Sequence, residues 1–574
     1  MAALTSIDQV DLTPRPGKSY FSLAREWREE FIYFLLVDRF HDDAARAPLR
    51  RAGRSAGVAV PDDFYGGKLR GITRNLDYIA GLGCTAIWLS PIFESNPRAY
   101  HGYDISNYLD VDPRFGTKQD LVELVEAAHG QVRDGQPWPI RVILDVVINH
   151  SGDNWSYPGD NPYYYSNDRR FDFGDWRRPD RPLPVELRDP ELYHRRGQIS
   201  EAGWDRYPEN QHGDVVSLKD YANDDDAAGS RLVNILIKAH CHWIREADVD
   251  GFRVDAVKHM GELACSRLCS NVREYAYSLG KRGFFLFGEV ASPSDDVYNR
   301  YIGQNTSLSD RDGTVFFGLN SVLDFRLAEG VWGDADNAPL RDILLGRAGP
   351  QTLFNRLEAQ RDRALNRGEI GRYLVTFVDN HDSFWQPGRI ASQASDEQLI
   401  GAIGYLLCAL GTPCIYYGTE QGFAGAGGDN QIREAMFDRD TPGRNLLNLD
   451  CAIYRHIALI ADVVRTTEPL RFGRMYFRPI SGDGLHFGLP YGSDYTLAFS
   501  RILYPREVLV AYNVSPQPRS DHVIVDADLH RPGDRMTLRY GQLGGAGEVA
   551  VEPGPDGSLH VRLPLAPRQL VILE

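Results

Sequence analysis

The chain is poor in the features that mark membrane, metal-knuckle or nucleic-acid proteins. None of its apolar runs is long enough to span a bilayer, so no membrane partner is expected. The opening Met-Ala-Ala-Leu-Thr-Ser-Ile-Asp-Gln-Val-Asp-Leu has neither the basic start nor the apolar core of a secretory leader, which makes the cytoplasm the expected location. Cysteine is scarce and odd in number: the seven residues Cys84, Cys241, Cys265, Cys269, Cys408, Cys414 and Cys451 form no paired CxxC knuckles and mostly sit in apolar stretches. They read as reduced core thiols. Positive charge is also short. A formal charge of −16 and a pI near 5.5 give phosphate backbones no broad attraction, so a nucleic-acid partner is not expected. Repeats and low-complexity tracts are missing as well.

What is present is length. The 574 residues exceed the needs of one small core, so a large barrel with at least one further domain is expected. Strand-like runs recur at 31–37, 85–89, 141–148, 251–255, 284–289, 321–325, 373–378 and 413–417, with helical periodicity between them, as in 118–129. Eight such units predict an α/β fold, a closed (β/α)8 TIM barrel. Between 150 and 220 the periodicity gives way to Tyr, Trp, Pro, Arg and Asp, which predicts an inserted subdomain after strand 3 rather than a structureless loop. After about 468 short alternating runs such as 507–514 and 569–573 predict a C-terminal all-β domain. The expected organisation is an N-terminal extension (1–30), a barrel (31–150 and 221–467), an inserted subdomain (151–220) and a β-sandwich (468–574), with 42–62 as a mobile surface connection.

Four segments carry polar residues at predicted strand ends: Asp145-Val-Val-Ile-Asn-His150, Gly251-Phe-Arg-Val-Asp-Ala-Val-Lys-His259, Phe287-Gly-Glu-Val290 and Phe377-Val-Asp-Asn-His-Asp382. In a parallel barrel such ends converge on one mouth, which gathers Asp255, Glu289 and Asp382 into a candidate catalytic set. Cleaving a glycosidic bond with retention needs one carboxylate to attack the anomeric carbon and one carboxyl to protonate the leaving oxygen. Asp255 shares a strand face with Arg253, which suits a charged nucleophile. Glu289 follows the apolar Phe284-Phe-Leu-Phe287, a setting that favours a proton donor. Asp382 would balance a cationic transition state. A single carboxylate at a strand end is ordinarily solvated or salt-bridged; four segments in a workable order are another matter.

Together the four segments resemble the α-amylase superfamily, glycoside hydrolase family thirteen, over roughly residues 31–460. The resemblance implies a retaining enzyme with Asp255 as nucleophile, Glu289 as general acid/base and Asp382 as transition-state stabiliser. It also implies that Asp145, His150, Arg253 and His381 hold the sugar where the bond breaks, and that Tyr103, in Tyr100-His-Gly-Tyr-Asp-Ile-Ser-Asn-Tyr108, stacks on the ring. Ser217-Leu-Lys-Asp-Tyr221 resembles the segment closing the insert, and Gly411-Thr-Pro-Cys-Ile-Tyr-Tyr-Gly-Thr-Glu420 the eighth strand. Many members bind calcium between barrel and insert; Asn149 and Asp220 match side-chain ligands and His259 a carbonyl ligand. No organic cofactor is expected.

Specificity divides the resemblance. Lys258 and His259 are similar to residues that touch the leaving-side sugar in amylases and cyclodextrin-forming transferases, which favours α-1,4 malto-oligosaccharides. Asp104 and Arg433, the latter in Gln431-Ile-Arg-Glu-Ala-Met436, are similar to the pair that clamps a terminal glucose in exo-acting α-glucosidases. The expected function is a retaining hydrolase of short α-glucosides from the non-reducing end, with transfer to other sugars possible. The alternatives are an endo-acting amylase or cyclodextrin-type transferase and, in another class, a carbohydrate-binding protein that keeps the fold without the chemistry.

Overall fold

The computed structural model describes residues 3–45, 49–161, 163–309, 315–331, 334–363, 374–383, 386–441 and 444–574. Eight parallel strands form its centre: β1 (Ile32–Leu35), β2 (Ala86–Leu89), β3 (Arg141–Val147), β4 (Gly251–Asp255), β5 (Phe285–Gly288), β6 (Ser321–Val322), β7 (Val375–Thr376) and β8 (Thr412–Tyr416). Each pairs with its neighbour in sequence, β8 returns to β1, and a parallel bridge from Leu323 to Val375 closes the ring between β6 and β7. The predicted (β/α)8 barrel therefore forms. The sixth and seventh strands are only two residues long. Tyr373, the expected start of β7, lies outside the described residues.

The helices follow from local chemistry. In α1 (Lys118–His129), Thr117 accepts from Asp120 N while the Asp120 carboxylate reaches back to Thr117 N, a capping box. Leu121, Leu124, Val125 and Ala128 then bury one stripe against the barrel. In α2 (Ala227–Ala247), Asp226 caps the start, and Asp248 ends it in the left-handed region at φ 65°. All seven cysteines are buried and unpaired with one another. No helix among the described residues is long and apolar enough to cross a membrane.

The N-terminal extension closes the bottom of the barrel. Phe21 stacks on His129 with ring centroids 3.8 Å apart, and Trp27 stacks on Phe285 at 4.4 Å. Beneath them Lys281 Nζ donates to Phe21 O, to Asp248 Oδ1 and to Asp250 Oδ1. The connection at 42–62 is tied to the barrel rather than loose: Ser55 N donates to Gln421 O, Val58 bridges Ala435, and Arg54 pairs with Asp396. Residues 46–48 of it lie outside the described residues.

Segment 151–220 leaves the barrel after β3 and returns through a short antiparallel pairing of Ser151 with Lys219 and His150 with Asp220. Its aromatic richness builds its own core, in which Trp155, Tyr157, Phe171 and Tyr193 are buried. After helix Glu468–Phe472 the chain forms a nine-strand antiparallel sheet beginning at Arg474. It includes β9 (Arg519–Val525), β10 (Glu548–Pro553) and β11 (Leu559–Leu565), and its inward residues Val523, Val551, Val561 and Leu563 share one apolar cluster with Leu509 and Val571.

Candidate active site

Strand register brings the polar residues together. Arg253 on β4 lies directly opposite Asp145 on β3 and Phe287 on β5. Two residues on, Asp255 points to the same side, as strand alternation requires. Arg253 Nη1 donates to Asp145 at 3.0 Å and to Asp255 Oδ1 at 2.5 Å, and its Nη2 lies 2.9 Å from Glu289 Oε2. One guanidinium thus holds three carboxylates, all buried. The geometry also strains the backbone. Ala256 adopts the left-handed region at φ 50°, which turns its N–H onto Glu289 Oε2 at 3.0 Å. Gly288 is required beside it, since a Cβ there would come within 2.5 Å of Leu319 and 2.8 Å of Val257.

The floor of the site is aromatic. Trp88 Nε1 and Tyr103 Oη both donate to Asp145 Oδ2, at 3.0 and 2.9 Å. The Tyr103 ring stacks against His381 with centroids 5.4 Å apart. The turn that presents Tyr103 depends on Gly102, at φ 87° and packed so closely on Pro91 O that a Cβ would lie 2.1 Å from it. His150 Nε2 stands 3.9 Å from Asp255 Oδ2. On the far wall His381 Nε2 lies 3.4 Å from Asp382 Oδ2, and Arg433 Nη2 donates to Asp382 Oδ1 at 2.8 Å.

Burial sets the electrostatics. It raises Asp255 well above the usual carboxylate range; Arg253 opposes it, while Glu289 and Asp145 push the same way as burial. Burial likewise takes Asp145 to about 6 against the pull of Arg253, and raises Asp382 against Arg433. It depresses His150 to about 3 and His259 to about 4, so both imidazoles are neutral donors and acceptors at neutral pH. Asp145 and Asp255, both bound to Arg253, influence one another's titration. Such a cluster can keep one proton and one free carboxylate side by side.

The expected chain-end clamp is not assembled. Asp104 Oδ1 accepts from Asn96 Nδ2 at 2.8 Å and from Asp153 N at 2.7 Å, so it ties the loop after β2 to the insert. Arg433 faces elsewhere, toward Asp382, Asp429 at 3.2 Å and the His381 carbonyl. No hydrogen bond or ion pair joins these two side chains among the described residues. Lys258 Nζ is held by Ala291 O at 2.8 Å and Asp205 at 3.1 Å, and His259 Nδ1 by Asn210 O at 2.6 Å. The Trp204 ring stands edge-on to His259 at 5.2 Å. Sequence reasoning missed Trp88, Trp204, Asp205 and Asp429. Trp88 is the penultimate residue of a predicted strand and was findable; Trp204 and Asp205 lie in the aperiodic insert, and Asp429 opens a short helix just before the Gln431–Met436 segment.

The residues named for a cation fit one in their chemistry. Asn149 Oδ1 and Asp220 Oδ1 are both buried and accept no hydrogen bond among the described residues, and they lie on the two segments that pair at the neck of the insert. Two hard oxygens without donors suit calcium. The other Asp220 oxygen is taken by His194 Nδ1 at 2.5 Å, and His194 Nε2 reaches Asp224 at 2.9 Å.

A parallel eight-strand barrel with Asp255 and Glu289 buried and Asp382 half-buried at its mouth, and an insert after the third strand, defines a class of sugar-processing enzymes. The α-amylase catalytic-domain profile matches residues 34–445. The chain belongs to the α-amylase superfamily, glycoside hydrolase family thirteen. It is 30% identical over 511 residues to an α-amylase of Streptomyces lividans, covering 76% of this chain and 51% of that protein. It is 26% identical over 527 residues to a cyclomaltodextrin glucanotransferase of Klebsiella oxytoca, covering 84% and 71%. The chain thus spans about half the length of the Streptomyces relative. The solved α-amylase of Geobacillus thermoleovorans in complex with acarbose superposes with a TM-score of 0.67 at 25% identity over 96% of this chain and 99% of that one.

Proposed function

We propose that the protein is a retaining enzyme acting on α-1,4-glucans, hydrolysing them or transferring the cleaved end to another sugar, through a cleft that stays open on the non-reducing side. The observation carrying this reading is the Arg253 junction: Asp255 and Glu289 each bind one terminal nitrogen of the same guanidinium. That arrangement suits the short carboxyl separation of a retaining pair, about 5–5.5 Å. Asp255 attacks the anomeric carbon; Arg253 favours its charged form. Glu289 protonates the leaving oxygen and then takes a proton from the incoming water or sugar hydroxyl. Asp382, oriented by Arg433, faces the positive charge that develops on the ring. Tyr103 and His381 supply a stacked platform for that ring.

The open cleft rests on Asp104 and Arg433 being engaged apart from one another. It also agrees with His259 lying edge-on to Trp204, a wall for sugars on the leaving side. A calcium ion fits Asn149 and Asp220, with His259 offering its carbonyl. Bound there, it would supply rigidity to the neck that carries His150. The test uses a malto-oligosaccharide whose non-reducing end is chemically blocked. Rapid internal cleavage is expected; cleavage only of the unblocked sugar, with glucose released, would restore the chain-end reading.

A further inference from the structure

Far from the barrel mouth, the outer face of the C-terminal sheet gathers two imidazoles and a carboxylate. β10, β11 and β9 are adjacent, in that order. Glu552 lies directly opposite His560, and His522 opposite Arg562, two residues further along β11 on the same face. The three side chains therefore form a diagonal row across three strands, back to back with the apolar cluster. We propose that His522, His560 and Glu552 form a binding site for a divalent transition ion of the zinc class, which staples the three strands together.

The geometry carries this. Ligand atoms of all three residues lie within 4.8 Å of one another. His560 Nε2 stands 3.5 Å from Glu552 Oε2, too long for a good hydrogen bond but close to the ~3.3 Å separating two ligands on a tetrahedral ion with bonds of about 2.0–2.1 Å. The Nδ1 atoms of His522 and His560 are both buried and make no hydrogen bond among the described residues, so neither is committed to another partner. The rings are 4.7 Å apart at 72°, and Phe487 covers His560 with centroids at 5.4 Å, an apolar shield on one side. Glu552 is 53% exposed, leaving the other side open for a water ligand.

Two nitrogens and one carboxylate select zinc, nickel or copper over calcium, which takes oxygen shells. The cluster of His194 and His212 in the insert with Asp224 just after it is a weaker competitor, because both nitrogens of His194 are already bonded to carboxylates.

The test titrates the full chain with zinc in saturating calcium, by calorimetry, and repeats it with cobalt(II), whose visible bands report four-coordinate nitrogen and oxygen ligation. Because buried His560 is needed for packing, the variants are His522→Ala and Glu552→Gln. One equivalent of zinc should bind, with affinity falling roughly tenfold or more in each variant, and the cobalt bands should vanish in His522→Ala. Zinc should raise the melting temperature of the parent but not of His522→Ala. His212→Ala should bind zinc as the parent does. No zinc bound at micromolar concentration, binding untouched by both sheet variants, or binding lost in His212→Ala would each overturn the proposal.

Discussion

Arg253 neutralises one of the three carboxylates it touches, and the reaction depends on how the remaining charge and proton are shared. Replacing Glu289 by Gln removes the proton donor while keeping its shape, so turnover should fall by about 10²–10⁴-fold with the melting temperature little changed. Steady-state kinetics with a melting curve checks this; near-parent turnover would remove Glu289 from its role. Asp145→Asn gives a finer test. Burial, Glu289 and Asp145 all raise Asp255, whose charged form attacks. Removing the Asp145 charge, and leaving Arg253 more to Asp255, should move the acidic limb of the kcat/KM profile to lower pH. A limb that stays put or moves up would show that another group controls it. Asp255 and Glu289 were legible in the sequence because each ends an apolar strand run. Their shared cation was legible only in part, since Arg253 and Asp255 share a strand whereas the register placing Asp145 opposite them does not appear in either segment.

At the scale of elements, loops and the extension do more than connect. Asp104 was read as a specificity residue from the motif around it, yet it bonds the loop after β2 to the insert through Asn96 and Asp153 N. The bond to Asp153 joins residues 49 positions apart, in a stretch without periodicity, and no local pattern announces it. Asp104→Ala should cost about 1–3 kcal/mol of stability, seen as a lower melting temperature. It should change kcat/KM for maltotriose and for longer chains by similar factors; a loss confined to short substrates would return Asp104 to the chain-end clamp. Below the barrel, burial works to raise the Asp250 carboxyl, but Lys281 and His129 outweigh it and bring it to about 2. A depressed folded value stabilises above the unfolded value of ~3.9 and is lost as pH falls toward 2, an effect of roughly 2–3 kcal/mol. Melting curves between pH 5 and 2 should therefore fall more steeply for the parent than for Asp250→Asn, which should itself be less stable at pH 7. Equal slopes would contradict this account of how the extension is clamped.

At the scale of the whole molecule, the barrel was legible because eight apolar runs alternate with helical stripes, and even two-residue strands such as β6 and β7 are fixed by their neighbours in the ring. The insert was legible as a departure from periodicity, while its small aromatic core was not distinguishable from a sugar-binding wall until burial separated Trp155 and Tyr193 from the exposed Tyr164 and Tyr207. The calcium expectation belongs here too, since it joins barrel to insert. Chelation should lower the melting temperature and restored calcium should recover it, less so in Asp220→Asn; chelator-treated protein that melts unchanged would remove the ion from the account. The central claim is that these parts perform a double displacement through Asp255. Proton NMR on an α-1,4-linked malto-oligosaccharide, recorded before mutarotation, tests it most directly: the first-formed product should carry the α configuration at its new anomeric centre, and a first-formed β anomer would contradict it.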